Sequence, residues 1–176
     1  MPAGVYRLAD GALERFTCAP GPAGWRYVSD RLDLTVDDRW VVVRLVVARV
    51  GWQLRGGVVG PDVIWRRGEQ ALSVRADGFT GPSPAYDVAV ARQLGLGIGQ
   101  TRRRRLVEVT EPVAATRTVE VQWARRADAL GTERYEVDDL STGDRRVVHL
   151  LGDVVVDRLD DLDTPPSGLA TLDVQP

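Results

Sequence analysis

"RTVEVQWA", residues 117–124, decides the fold class. Val119, Val121 and Trp123 alternate with Thr118, Glu120 and Gln122, the period of a strand with one face buried and the other in water. "DRLDLTV" (30–36) repeats it, with Leu32, Leu34 and Val36 on one side and Arg31, Asp33 and Thr35 on the other. Both read as antiparallel strands. "RWVVVRLVVARV" (39–50) departs from the pattern: Trp40, Val42 and Val46 share one face, while Val41, Val43, Leu45 and Val47 share the other. A strand apolar on both faces needs cover on both, so the sequence predicts this segment at the centre of the sheet.

Working outward, further strands are expected at 12–18, 58–66, 70–75, 103–109, 134–137 and 145–151. Turn-forming stretches separate them: "APGPAG", "RGG", "ADGFTGPSP", "TEP" and "STGD". Strands at this spacing predict a mainly β fold, with a large curved antiparallel sheet forming a half-barrel or β-roll and at most one or two short helices. Residues 84–94 are open between two forms. Ser83, Pro84 and Gly95 suit the cap, first turn and stop of a helix, whereas Tyr86, Val88 and Val90 alternate as in a strand.

The expected organisation is a single β-rich domain over 1–163 and a flexible tail over 164–176, where "TPPSGLATLDVQP" is rich in Pro, Gly and Thr. A chain of 176 residues can bury enough surface to fold without a staple. The one cysteine, Cys18, has no partner within the chain, which excludes an internal disulfide and a Cys-rich zinc site. The start lacks the pattern of a secretory signal, and Arg44 and Arg49 interrupt the longest apolar run. A cytoplasmic protein without a transmembrane segment is the expectation. A net charge of -2, from 23 basic and 25 acidic residues, gives no general grip on a polyanion.

The run "RRRR" (102–105) tests that last point. On a strand, alternate side chains face opposite ways, so no more than two of these arginines line one surface, and no flanking aromatics or recognition helix accompany them. No nucleic-acid partner is expected. His149, the only histidine, sits among Val and Leu as a packed strand residue would, with no serine or cysteine motif beside it. The acidic groups at 36–38, 137–139 and 157–163 lack the spacing of a calcium loop, and "GLGIG" (95–99) lacks that of a dinucleotide fingerprint. The sequence predicts no metal and no cofactor. Trp40 and Trp123 read as core, while Trp25, Trp52 and Trp65 stand near turns, where an aromatic ring can line a rim.

The order of certain segments is similar to that of a family. "GALERFT" (11–17) resembles its opening Gly-x-Glu strand, and "WRYVSDRLDLTVDDRW" (25–40) its strand with Tyr, an acidic residue and Trp. Trp65 in "VIWRRG" occupies the place of a strand ending in Trp. "YDVAV" (86–90) and "RRL" (104–106) match the two ends of its central motif, and "GDVVVDRLDDL" (152–162) its late acidic segment, with Asp157 at the Asp. These segments resemble the bacterial glycolipid-binding protein family, whose β-rich fold is like the half-barrels of periplasmic lipoprotein carriers. Ala89 stands at the family's second Asp, and Arg158 where a Tyr-Pro would begin.

The resemblance implies a lipid-like or glycolipid-like partner, and ligand-binding roles for Trp65, Tyr86, Asp87, Arg104, Arg105 and Asp157. The leading expectation is a non-catalytic protein holding an apolar ligand in the cavity of a curved sheet. Two alternatives stand beside it: a small-molecule enzyme using paired carboxylates, Asp87 and Asp157, and an interaction module pairing along a free sheet edge. The oligomeric state, a homodimer included, is open.

Overall fold

A computed structural model describes residues 2–21, 24–110 and 115–158. The expected tail at 164–176 lies outside the described residues. Eight strands follow one another as an antiparallel meander: β1 (Ala3–Arg7), β2 (Leu13–Gly21), β3 (Gly24–Ser29), β4 (Leu32–Val36), β5 (Val42–Arg49), β6 (Trp52–Val59), β7 (Asp62–Arg67) and β8 (Gln70–Arg75). The chain then enters a second sheet through β9 (Gly78–Thr80), helix α1 (Ala85–Leu94), β10 (Thr101–Val109), β11 (Thr116–Ala129), β12 (Thr132–Asp139), β13 (Arg145–Leu151) and β14 (Val154–Val155). Its order is β14-β13-β12-β11-β10-β9, with β9 parallel to β10 and every other pair antiparallel. The first sheet is a large antiparallel one, and the second curls strongly into a half-barrel.

The clearest alternations survive intact. Leu32, Leu34 and Val36 are buried on β4, as are Val119, Val121 and Trp123 on β11. On β1 to β3 the same period brings aromatic rings into a stack, Tyr6 on Phe16 at 4.2 Å between centroids and Phe16 on Tyr27 at 5.3 Å. The expected rim residue Trp25 is instead core, 6.0 Å from Tyr27 and 5.4 Å from Trp40. One continuous cluster of buried side chains joins both sheets and α1.

The expected mainly β fold with a half-barrel is present, its strands divided between two sheets with one parallel pairing. Two further expectations are corrected. The central segment is not covered twice: the register shifts between Thr35 and Val36, so that Val36 faces Val42 while Thr35 faces Arg44. This bulge re-phases the strand. Val42, Leu45 and Val47 point inward, and Val43 is left 50% exposed. The expected strand 58–66 is the end of β6, a turn at Gly60 and Pro61, and β7. Residues 85–94 form a helix, closed by Gly95 in the left-handed region (φ 53°), whose N–H donates to the Ala91 carbonyl at 3.1 Å.

Helix α1 explains its own ambiguity. Ala85, Tyr86, Val88, Ala89, Val90 and Ala91 are all buried, and a helix apolar nearly all round belongs inside a protein. Every apolar position is used, so no helical stripe shows in the sequence.

Candidate functional site

Directly paired residues of an antiparallel sheet share a face. In the second sheet one such face runs through Leu106 and Val119, then Arg104, Val121 and Asp139, then Arg102, Trp123, Val137 and Arg146, then Tyr135 and Val148. Val119, Val121, Trp123, Val137, Tyr135 and Val148 are buried there, which makes it the inner face of the half-barrel.

Helix α1 lies against that face and is fastened at both ends. Near its C-terminus Arg92 Nη1 donates to Glu133 at 2.8 and 2.9 Å, and its Nε to Asp153 at 3.2 Å. Near its N-terminus Asp87 receives a two-pronged contact from β13: Arg146 Nη1 donates to Oδ2 at 2.8 Å and Nη2 to Oδ1 at 2.6 Å. The Arg146 guanidinium also lies over the Trp123 ring, 5.8 Å from its centroid. Burial alone would lower the Arg146 pKa; the charge and hydrogen bonds of Asp87 outweigh it and hold the group above its ordinary value.

The helix therefore fills much of the half-barrel and leaves a cleft of about 270 Å³ at its N-terminal end. Val119, Val121 and Val137 form the floor. Asp87, Arg146, Glu108, Asp139 and Arg158 are among the polar residues of the wall. Glu108 is engaged by Arg117, and Asp139 accepts the N–H groups of Ser141 (2.7 Å) and Thr142 (3.2 Å) in a turn. Beside this floor stands Arg104, the cross-strand neighbour of Val121. Its Nε is buried with no hydrogen-bond partner among the described residues, as is Nε1 of Trp123 on the same face. Buried donors are normally satisfied. Two orphans a diagonal step apart place unused hydrogen-bonding capacity next to the cleft.

The other residues singled out in the sequence lie elsewhere. Tyr86 is in the core, against Gly81. Arg105 faces a separate cleft with Arg75, Asp77 and Gln93, and its N–H donates to Asp77 Oδ2 at 2.9 Å. Trp65, paired with Gly56, borders a groove on the first sheet. Asp157 accepts the His149 N–H at 2.6 Å and lies 2.7 Å from its Nδ1. His149 points away from the face of Val148, so Asp157 turns from Asp87 rather than toward it. The four-arginine run is a strand of the wall, with Arg103 Nε donating to Gln122 at 3.3 Å. Among the described residues no three His, Cys, Asp or Glu side chains are grouped as a metal site. None of the described helices is long and apolar enough to cross a membrane.

Arg146, the partner that defines Asp87, carries no sequence signal of its own, because 59 residues separate the two. The valines of the floor were legible only as buried strand positions.

No protein-family model matches the chain, and no curated protein matches it. A solved structure does: a DUF1089 family protein from Pseudomonas aeruginosa, 22% identical, covering 90% of each chain with a TM-score of 0.60. At that identity the likeness is one of fold, and the chain shares its architecture with this protein.

Proposed function

We propose that the protein binds a small amphipathic, lipid-like ligand without transforming it, in the cleft at the N-terminal end of α1. The observation that carries this reading is the apolar floor of Val119, Val121 and Val137 beside the Asp87 and Arg146 pair. An apolar body rests on the valines, and the polar end lies toward Arg104, the neighbour of Val121, whose Nε has no partner among the described residues. Ligand sites combine apolar lining with few placed polar groups in this way. At about 270 Å³ the cleft sits just below the roughly 300 Å³ at which ligand sites usually begin, so the ligand is small, or only its end is buried.

A catalytic reading has less support, because Asp87 is held by Arg146 and Asp157 by His149, and the two carboxylates do not converge. The test is native mass spectrometry of protein purified gently from its own host, followed by organic extraction. Near-stoichiometric bound lipid-like material, lost in Val121→Trp where the indole fills the cleft, is the expected result. Retention of the same material by Val121→Trp, or protein at its bare mass, would overturn the assignment.

A further inference from the structure

The first sheet carries a charge arrangement with no role in that cleft. Across β5 to β8, on the outer face, one row reads Val46, Arg55, Arg66 and Ala71. Two arginines directly opposite each other repel, which costs stability. The row contains no carboxylate. Arg55 Nε donates to Gln53 Oε1 at 2.9 Å and Arg66 Nε to the Gly68 carbonyl at 2.7 Å. Neither guanidinium has an acidic partner among the described residues, whereas neighbouring Arg44 is paired with Asp33 at 3.2 Å.

The surroundings of the row differ on its two sides. On one lies a groove of about 580 Å³, with Val43, Val59 and Ile64 exposed along it. Its floor is bare at Gly57, where a Cβ would come within 2.8 Å of the Val43 carbonyl oxygen, so the close approach of β5 admits no side chain there. On the other lies a cleft of about 610 Å³ between the turns at Gly51 and Gly68, with Trp52, Gln53 and Arg67. Arg55 and Arg66 belong to both, and neither space is lined by Asp or Glu.

We infer that this outer groove binds a single anionic amphiphile, its apolar chain along Val43, Val59 and Ile64 and its carboxylate or phosphate between Arg55 and Arg66. The anion neutralises the cross-strand repulsion and offers each guanidinium the paired acceptors it favours. The apolar chain crosses from β5 to β7, two strand spacings or about 10 Å. The head faces the second cleft, which gives room for a substituent beyond the charged group. This site is separate from the cleft beneath α1, and either stands without the other.

The experiment titrates the full chain with dodecyl phosphate, dodecyltrimethylammonium and inorganic phosphate, each below any micelle concentration, by calorimetry and amide chemical-shift mapping. Dodecyl phosphate binds with shifts centred on Gly57, Ile64 and Arg66; the cationic amphiphile and phosphate alone bind at least about tenfold more weakly. Arg55→Gln and Arg66→Gln each weaken dodecyl phosphate on the order of tenfold, as loss of one charged hydrogen bond does, with no fall in melting temperature. Val121→Trp leaves this binding unchanged. Equal affinity for both amphiphiles, or indifference to both Gln variants, overturns the inference. So does sedimentation with vesicles of equal parts phosphatidylcholine and phosphatidylserine without binding of monomeric dodecyl phosphate, which would make the face a membrane surface. A dimer that buries Ile64 and excludes the amphiphile overturns it as well.

Discussion

Two sets of arginines are placed in opposite ways. Around α1 in the second sheet, Arg146 is answered by Asp87, Arg125 by Asp128 and Arg92 by Glu133 and Asp153. On the outer face of the first sheet Arg55 and Arg66 confront each other unanswered. A neutralised arginine holds elements together. An unneutralised one costs stability and keeps its capacity for something outside the chain. The difference separates fastening from recognition, and it is open to attack by mutation from both sides.

The largest expected effect is at the fastening of α1. Asp87→Ala leaves the Arg146 guanidinium uncompensated; because its side chain is 39% exposed, water screens part of the loss. We expect about 2 kcal/mol of destabilisation in urea unfolding, below the 3–5 of a fully buried pair. A double-mutant cycle with Arg146→Met isolates the coupling. A coupling near zero would place this pair with ordinary surface contacts and remove the contrast with Arg55 and Arg66.

Close packing gives the next effect. A Cβ at Gly56 would stand 2.7 Å from Phe79 Cζ and 2.8 Å from the Ile64 carbonyl oxygen, where β6 meets the chain entering the second sheet. Gly56→Ala costs about 1–3 kcal/mol by overpacking. An unchanged melting temperature would show that Phe79 yields freely there.

A third effect is one of pH. Glu14 is fully buried beneath the first sheet, where it accepts hydrogen bonds from Ser29 Oγ at 2.7 Å and Ser83 Oγ at 3.1 Å. Burial raises its carboxyl above the ordinary range, against the lowering effect of those hydroxyls. The folded state thus keeps a proton that the unfolded chain releases. The associated stability is complete below the ordinary carboxylate pKa and is lost as pH rises through the folded value, with a slope of up to about 1.4 kcal/mol per pH unit. Glu14→Gln keeps the two hydroxyl bonds and flattens that slope. Melting temperatures across the acidic range would measure it, and an identical slope in both proteins would assign the pH dependence to another group.

These features differ in how far the sequence reveals them. Alternation in Leu32 to Val36 and in Val119 to Trp123 is local, and it survived as read. The segment Arg39 to Val50 misled because a one-residue bulge at Val42 and Val43 shifts the phase, and alternation cannot register a slip set by the neighbouring strand. Tyr86, Val88 and Val90 left helix and strand undecided, since burial on all sides erases the stripe that would separate them. Asp87 was legible as a candidate while Arg146 was not. Arg55 and Arg66 become neighbours only once the turn at Gly60 and Pro61 fixes the register of β6 on β7. Pairing distant in sequence is what composition and period leave out.

The smallest effect tests the contrast most directly. If Arg55 and Arg66 repel across the strands, replacing either with Gln stabilises the folded chain, by about 0.2–1 kcal/mol on the scale of cross-strand pairs. The repulsion belongs to the pair, so Arg55→Gln/Arg66→Gln gains no more than one replacement alone, and the cycle is non-additive by the full size of the term. Added salt reduces the gain, since both groups face water. Thermal unfolding of the four proteins at low and high ionic strength measures all three. Additive gains would mean that each arginine is unfavourable through its own surroundings. Losses would mean that the guanidinium hydrogen bonds to Gln53 and Gly68 outweigh the repulsion, and these two arginines would then fasten the sheet edge as those around α1 fasten the helix.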